Sequence, residues 1–295
     1  MDTPEYTVMK SNAEGSGFVR NWSGGKTNTR MRTIVKVTSR DNVSLKDARR
    51  VRDGKTRDKM FIEGARLVAE AIKSRVPIEQ AFVSTDDGPG FFELMTDAGA
   101  RTIYEVSRQA FESIADTVTS QGVVIIADRP SVAPETILER ISNATLPLVL
   151  FLHRINNPSN LGAVIRTAEA AGAAAVVVSA ESADAFSPKA IRASMGSAFR
   201  LPILQGQSFD DAIDWAHANH LRTTAADAEA DVSHYDVDWY KPRMLVFGSE
   251  AHGLSDDERR RVDEIIKVPM EREVESLNLA VAAGVILFEA RRSRQ

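Results

Sequence analysis

The chain has 295 residues, 43% hydrophobic, 26% charged and 6% aromatic, with a net charge of −4, which is the composition of a soluble globular protein with apolar material for about two cores. It has no cysteine; this excludes disulfides, thiolate metal sites and a cysteine nucleophile, and it fits a reducing cytoplasm, where the protein is expected. The longest apolar run, Ala170 to Val178, is too short to span a bilayer and contains Gly172, so no membrane partner is expected.

Residues 1–30 carry Gly15, Gly17, Gly24 and Gly25 among Ser, Asn and Thr, with few apolar anchors and no signal-peptide core. They read as a flexible arm that could fold on a partner. From 31 to 128 short apolar runs alternate with amphipathic stretches. A strand is expected at RTIVKVTS, a basic helix near SLKDARRVR, and a helix over FIEGARLVAEAIKS with Leu67, Val68, Ala71 and Ile72 on one face. EQAFVST, RTIYEV and QGVVIIA then read as strands, and PGFFELMTDAG and SRQAFESIAD as helices, giving a small α/β unit. Residues 129–147, with Pro130, Pro134 and Pro147, read as a linker.

Over 148–295 the near-continuous apolar segments LVLFLH, AAVVVS, RLPIL, LRTTAA, MLVFG and IIKVP alternate with helical stretches, the pattern of a parallel sheet covered on both faces. The last helix carries Leu277, Ala280, Val281, Gly284, Val285 and Phe288 at helical spacing, which predicts that this stripe is buried.

Charge is unevenly spread. Lys26 to Met60 holds 12 Lys/Arg against 4 Asp/Glu, a local +8 that leaves −12 on the remainder. Such a segment suits a polyanion touched by one part of the molecule, and it is equally the pattern of a solvated helix face with a flexible arm. The basic residues that could meet such a polyanion are Lys46, Arg49, Arg50, Arg52, Lys55 and Arg57.

Three junctions in the second half place polar residues and glycines where a strand hands over to a loop or helix, the position at which open α/β sheets bind ligands. In NNPSNLGAVIRTA, Asn160 stands at a helix start where it could cap free N–H groups. Gly162 permits close approach, and Arg166 needs a partner or an opening; a capped helix with a snorkelling arginine would look the same. In VFGSEAHGLS, a strand ends at Phe247, Gly248 frees the backbone for a ligand, and Gly253 leads into a helix capped by Ser255; a glycine-rich turn with an exposed Glu250 is the plainer alternative. In VPMEREVESLNLAVAAG, Met270 and Leu277 could clamp an apolar ring, Ser276 could be the N-cap and Asn278 could present its amide at the same mouth; otherwise this is a capped core helix whose methionine fills a gap. There is no Walker loop, no strand-linked G-x-G-x-x-G, and no metal-ligand spacing among the five histidines.

Taken in this order, Asn160-x-Gly162-x-x-x-Arg166, then Phe247-Gly248-Ser249-Glu250 with Gly253-Leu254, then Val268-Pro269-Met270 followed by Ser276-Leu277-Asn278, resemble the three motifs of the SpoU (TrmH-type) branch of the SPOUT RNA methyltransferases. Upstream, SLKDARRVRDGKTRDKMFIEGARLVAEAI and DTVTSQGVVIIA resemble the substrate-binding domain of two-domain rRNA ribose methyltransferases, which is similar to small RNA-binding ribosomal proteins. The resemblance covers about residues 40–295.

The resemblance implies an α/β fold: a small RNA-binding domain (31–128) and a parallel-sheet domain (148–295) with a trefoil knot, a rarity among folds. It implies S-adenosylmethionine bent into that knot against Phe247, Gly248, Val268, Met270 and Leu277, no metal, and a homodimer with its sites near the subunit interface. The reaction would be methyl transfer to a ribose 2′-hydroxyl in RNA, with 23S rRNA favoured by the two-domain plan. Arg166, Asn160, Glu250, Ser276 and Asn278 would form the catalytic set. Arg166 stays protonated at any working pH, so positioning of a substrate phosphate that relays the proton suits it better than the role of base. Two rival readings are tRNA ribose methylation, and an RNA-binding or ribosome assembly factor without catalysis. One departure stands out: many relatives carry an acidic residue at or near His153.

Overall fold

The computed structural model describes residues 33–294 except 89, 145, 272 and 273; the arm over 1–30 lies outside the described residues. The chain divides into two compact units at Arg129/Pro130.

The first unit contains β1 (Thr33–Val37), α1 (Val43–Arg52), β2 (Lys59–Glu63), α2 (Ala65–Lys73), β3 (Ile78–Ser84), α3 (Phe91–Asp97), β4 (Thr102–Val106), α4 (Arg108–Phe111) and β5 (Val123–Asp128). The sheet order is β1-β4-β3-β5-β2, with β5 antiparallel to both neighbours and the rest parallel. Two expectations need correction. FIEG is not helical: Met60, Phe61 and Ile62 are fully buried in β2, and Gly64, at φ +95°, ends the strand and lets the chain turn into α2. SRQAFESIAD is helical only over Arg108–Phe111, because the segment after it is pulled into a braced loop, described below.

The second unit contains α5 (Pro134–Asn143), β6 (Leu146–Leu152), α6 (Pro158–Ala171), β7 (Ala173–Ser179), α7 (Pro188–Ser194), β8 (Ile203–Gln207), α8 (Phe209–Ala218), β9 (Arg222–Ala226), the short β10 (Val232–Ser233), β11 (Arg243–Phe247), α9 (Asp256–Arg261), β12 (Glu264–Lys267) and α10 (Leu279–Arg292). Every strand pair is parallel, in the order β10-β12-β9-β11-β6-β7-β8. β6 and β7 are buried throughout, as a sheet covered on both faces requires.

The stretch read as a linker holds α5. Proline at its first position starts the helix without losing a hydrogen bond, and Ile137 and Ile141 join the core formed with Phe151, Phe209 and Ile213. The stripe expected to be buried on the last helix is the larger correction. Val281, Val285 and Phe288 are 52%, 37% and 50% exposed, while Ala283, Ile286, Leu287 and Ala290 form the buried face. The helix is apolar on both sides, so periodicity alone selects the wrong one.

Candidate active site

All strands of the second sheet run the same way, so their C-terminal ends gather on one edge. Phe247 and Ile266 both register with Ala226, so β11, β9 and β12 end at one level. The three motifs leave from that edge.

The first leaves β6. The N-cap of α6 is Asn157, not Asn160: its Oδ1 accepts from the Ser159 N–H at 2.9 Å, with Pro158 as the first helical residue. The Asn-Pro pair is the signal that identifies this start. Asn160 is thereby freed from capping. Gly162 does allow close approach, but to a neighbouring helix: a Cβ there would lie 2.3 Å from the Ala190 carbonyl oxygen and 2.7 Å from the Ala193 Cβ, so the glycine seats α6 on α7.

The second leaves β11. Gly248 serves its own loop: a Cβ would lie 2.4 Å from the Gly253 carbonyl carbon. Ser249 and Gly253 exchange backbone hydrogen bonds of 3.0 and 2.9 Å, and Gly253 turns at φ +60°. Glu250 projects from this tight loop and is exposed. Ser255 then caps α9 in a reciprocal capping box with Glu258.

The third follows β12. Val268, Met270 and Leu277 are half-buried. The cap of α10 is Asn278, not Ser276: the Asn278 Oδ1 accepts from the Ala280 N–H at 2.9 Å. Ser276 is exposed and makes no hydrogen bond with any described residue.

These placements bring three of the five expected catalytic residues together. The Asn278 Nδ2 donates to the Asn160 Oδ1 at 3.4 Å, and the Asn160 Nδ2 donates to the Glu250 carboxylate. The polarity of this chain is fixed at one end. A backbone N–H can only donate, so Asn278 must turn its oxygen toward α10 and its NH₂ toward Asn160, which must in turn present its own NH₂ to Glu250. One helix N-terminus thus orients two amides and a carboxylate from three separate strand-to-helix junctions. Arg166 is not part of this chain: it sits in the third turn of α6, exposed, without a hydrogen bond or ion pair to any described residue.

The residues that would face a cofactor suit a ligand with an apolar or aromatic portion. Phe247 is buried and Val268, Met270 and Leu277 are half-buried. No His/Cys/Asp/Glu group able to hold a metal occurs among the described residues.

The first unit divides its basic residues. Arg49 donates to the Ser113 Oγ at 2.8 Å and to the Arg40 carbonyl at 2.9 Å. Arg52 reaches the carbonyls of Ser113, Ile114 and Ala115 at 3.3, 3.2 and 3.1 Å. The buried Glu63 carboxylate accepts from the N–H groups of Asp116 and Thr117 and from the Thr117 hydroxyl. Arg49 and Arg52 therefore brace the loop after α4. Lys46 pairs with Asp41 at 3.4 Å, whereas the side chains of Arg50, Lys55 and Arg57 are exposed and unpaired among the described residues.

Sequence reasoning missed a second, buried link between the first two loops. His153, 1% exposed, and Arg154 both contact Glu258 of α9. No signal in the sequence joins residues 105 positions apart.

Comparison with known proteins places these features in a family. Residues 147–288 match the SpoU rRNA methylase family and residues 61–133 match the RNA 2′-O ribose methyltransferase substrate-binding family. A tRNA/rRNA methyltransferase of Synechocystis is 30% identical over 269 residues, covering 88% of this chain and 95% of that protein. The 23S rRNA (guanosine(2553)-2′-O)-methyltransferase of Bacillus subtilis is 28% identical over 262 residues, covering 88% and 100%. The crystal structure of an AdoMet-bound rRNA methyltransferase from Sinorhizobium meliloti superposes with a TM-score of 0.75 at 29% identity, covering 88% of this chain and 98% of that one.

Proposed function

The chain belongs to the SpoU family of S-adenosylmethionine-dependent RNA 2′-O-methyltransferases, and from there we propose that it methylates a ribose 2′-hydroxyl of 23S ribosomal RNA. The observation that carries this reading is the Asn278–Asn160–Glu250 chain, which gathers three loops at one sheet edge. The substrate-binding match and the named activity of the Bacillus subtilis relative support ribosomal RNA as the target, and cytoplasmic location follows from that substrate.

When bound, S-adenosylmethionine would supply an electrophilic methyl group on a sulfonium, whose C–S bond breaks to leave a neutral thioether as the ribose oxygen gains the methyl group and loses its proton. Phe247, Gly248, Val268, Met270 and Leu277 would hold the cofactor. Asn160, Asn278 and Ser276 align the ribose, and Glu250 fixes the Asn160 amide. Arg166 grips a substrate phosphate with its guanidinium, and that phosphate relays the hydroxyl proton to solvent. Neither Arg166 nor Ser276 has a side-chain partner among the described residues, which supports assigning both to substrate.

Residues 31–128 serve as the RNA-binding domain, with Arg50, Lys55 and Arg57, and Lys46 when released from Asp41, on phosphates; Arg49 and Arg52 act by holding the loop after α4. Residues 148–295, joined by α5, form the methyltransferase domain. The placement of β12 between β9 and β10, followed by the return of α10 onto α6, supports a trefoil knot. The exposed Val281, Val285 and Phe288 stripe supports a homodimer packed through α10.

The test is transfer of labelled methyl groups from S-adenosylmethionine to purified 23S rRNA, 16S rRNA and tRNA, with the modified ribose mapped by resistance to alkaline cleavage. A single labelled 23S position is expected. Label confined to tRNA would move the substrate, and label on a base would end the ribose assignment.

A further inference from the structure

The loop that leads from β6 into α6, whose first turn carries Asn160, and the loop that carries Glu250 meet twice. Their second meeting centres on Glu258, at the third position of α9 and only 8% exposed. Its Oε2 accepts from the Ser255 N–H at 2.8 Å within its own loop. Its Oε1 accepts from the other loop, taking the His153 Nε2 at 3.0 Å and the Arg154 guanidinium.

A carboxylate can only accept, so His153 carries its proton on Nε2, and its Nδ1 is left as a buried lone pair without a partner. Burial holds the His153 imidazole below its ordinary pKa against the pull of Glu258. Burial pushes the Glu258 carboxyl up, but the Ser255 hydrogen bonds and His153 outweigh it, so Glu258 stays ionised. The cation that answers Glu258 is therefore Arg154.

Arg154 itself has φ +55°, in the left-handed region that favours glycine. Its backbone N–H donates to the Ser179 Oγ at 3.0 Å, and the next N–H, of Ile155, donates to the Ser182 Oγ at 3.0 Å. The turn is thus pinned by hydroxyls on one side and by Glu258 on the other. A side chain kept where its backbone would favour glycine points to a task for that side chain.

We infer that Arg154 and Glu258 form a positioning clamp that sets the spacing of the two loops and so holds Asn160 against Glu250. The inference rests on the methyltransferase reading above. Neither residue is assigned to substrate or cofactor; both act through the Asn160–Glu250 contact.

Arg154→Gly separates side chain from backbone. It removes the guanidinium and relieves the left-handed turn, so a role in the turn alone would leave methyl transfer intact or improved. The clamp requires that kcat fall by about tenfold at saturating RNA and cofactor, with KM for RNA and affinity for S-adenosylmethionine changed less than about threefold and the folded circular dichroism spectrum retained at the assay temperature. Glu258→Gln should reproduce that split, Arg154→Lys should recover part of the loss, and the double variant should be no worse than the poorer single one. Unchanged kcat in Arg154→Gly overturns the clamp, and so does a rise in KM at constant kcat, which would put Arg154 on the RNA. Should Glu258→Gln fail to fold, Arg154→Gly decides alone, because its side chain is partly exposed. Wild-type protein that transfers no methyl group to any RNA overturns the functional reading and the clamp together, whereas active wild type beside an equally active Arg154→Gly removes only the clamp.

Discussion

The two links between the first and second loops are built from opposite materials. Asn160 and Glu250 meet in the open, amide to carboxylate, with Asn278 behind them. His153, Arg154 and Glu258 meet with the histidine and carboxylate sealed from water. A hydrogen bond in contact with solvent adds little to stability, because water replaces it, while a buried carboxylate that loses its donors is left at a high cost. The open link is therefore free to be spent on a substrate, and the buried link is the one that fixes where the loops stand. The open link should therefore bear on function with little effect on stability, whereas the buried link should bear on both.

The sharpest way to break that division is at the open link. Asn160→Ala and Glu250→Ala should each lower kcat for methyl transfer by about a hundredfold or more, in the range seen when an oriented polar group is removed from a reacting centre. Their unfolding free energies from urea denaturation should stay within about 0.5 kcal/mol of wild type, as for surface substitutions elsewhere. Turnover and denaturation measured on the same preparations check both halves. A large loss of stability would show that the open link is scaffold as well.

Much of this arrangement was legible in the chain. The parallel sheet follows from apolar segments such as AAVVVS, which admit no solvent face, and the three junctions follow from glycine and asparagine placed after them. Local rules failed where two readings satisfied the same pattern. Asn157 and Asn160 both suit a helix start, and only the proline between them, at position 158, decides for the former. The two faces of α10 are both apolar, and which one is buried depends on α6, a partner that periodicity does not contain. Arg49 and Arg52 look like any other members of a basic helix until the loop they brace arrives from some 60 residues away. The pairing of Glu258 with His153 belongs to the same class: it exists only once the strands have been ordered.

A second way to sharpen the comparison leaves both links chemically intact. Gly162→Ala places a methyl group 2.3 Å from the Ala190 carbonyl oxygen, so α6 must lift from α7. Overpacking of this kind costs about 1–3 kcal/mol. Asn160 precedes the glycine by two residues, so methyl transfer should fall with stability. Gly284→Ala in α10 is the matched control. There the added Cβ meets only the Thr167 Cγ2 at 3.7 Å, an ordinary contact, and replacing a mid-helix glycine should raise stability by about 0.5–1 kcal/mol. Chemical denaturation of the two variants should move in opposite directions.

The smallest expected effect, and the most specific to the buried link, is its response to acid. The folded His153 titrates below its ordinary 6.5, so the unfolded imidazole binds a proton at pH values where the folded one does not. Its contribution to stability is present above pH 6.5 and is lost as pH falls below that value toward the folded pKa. Glu258 is also depressed, from 4.5, so its contribution is present above pH 4.5 and is lost only as pH falls through the lower folded value. The two losses have the same sign and arrive in order, histidine first. The melting temperature of the wild type should therefore decline from about pH 7.5 to about pH 5.5, and His153→Gln, which keeps a donor for Glu258 but cannot titrate, should decline less over that interval. Glu258→Gln should change the slope mainly at lower pH. Parallel wild-type and His153→Gln profiles would mean that the imidazole is not held neutral by burial, and the buried link would then differ from the open one in packing alone.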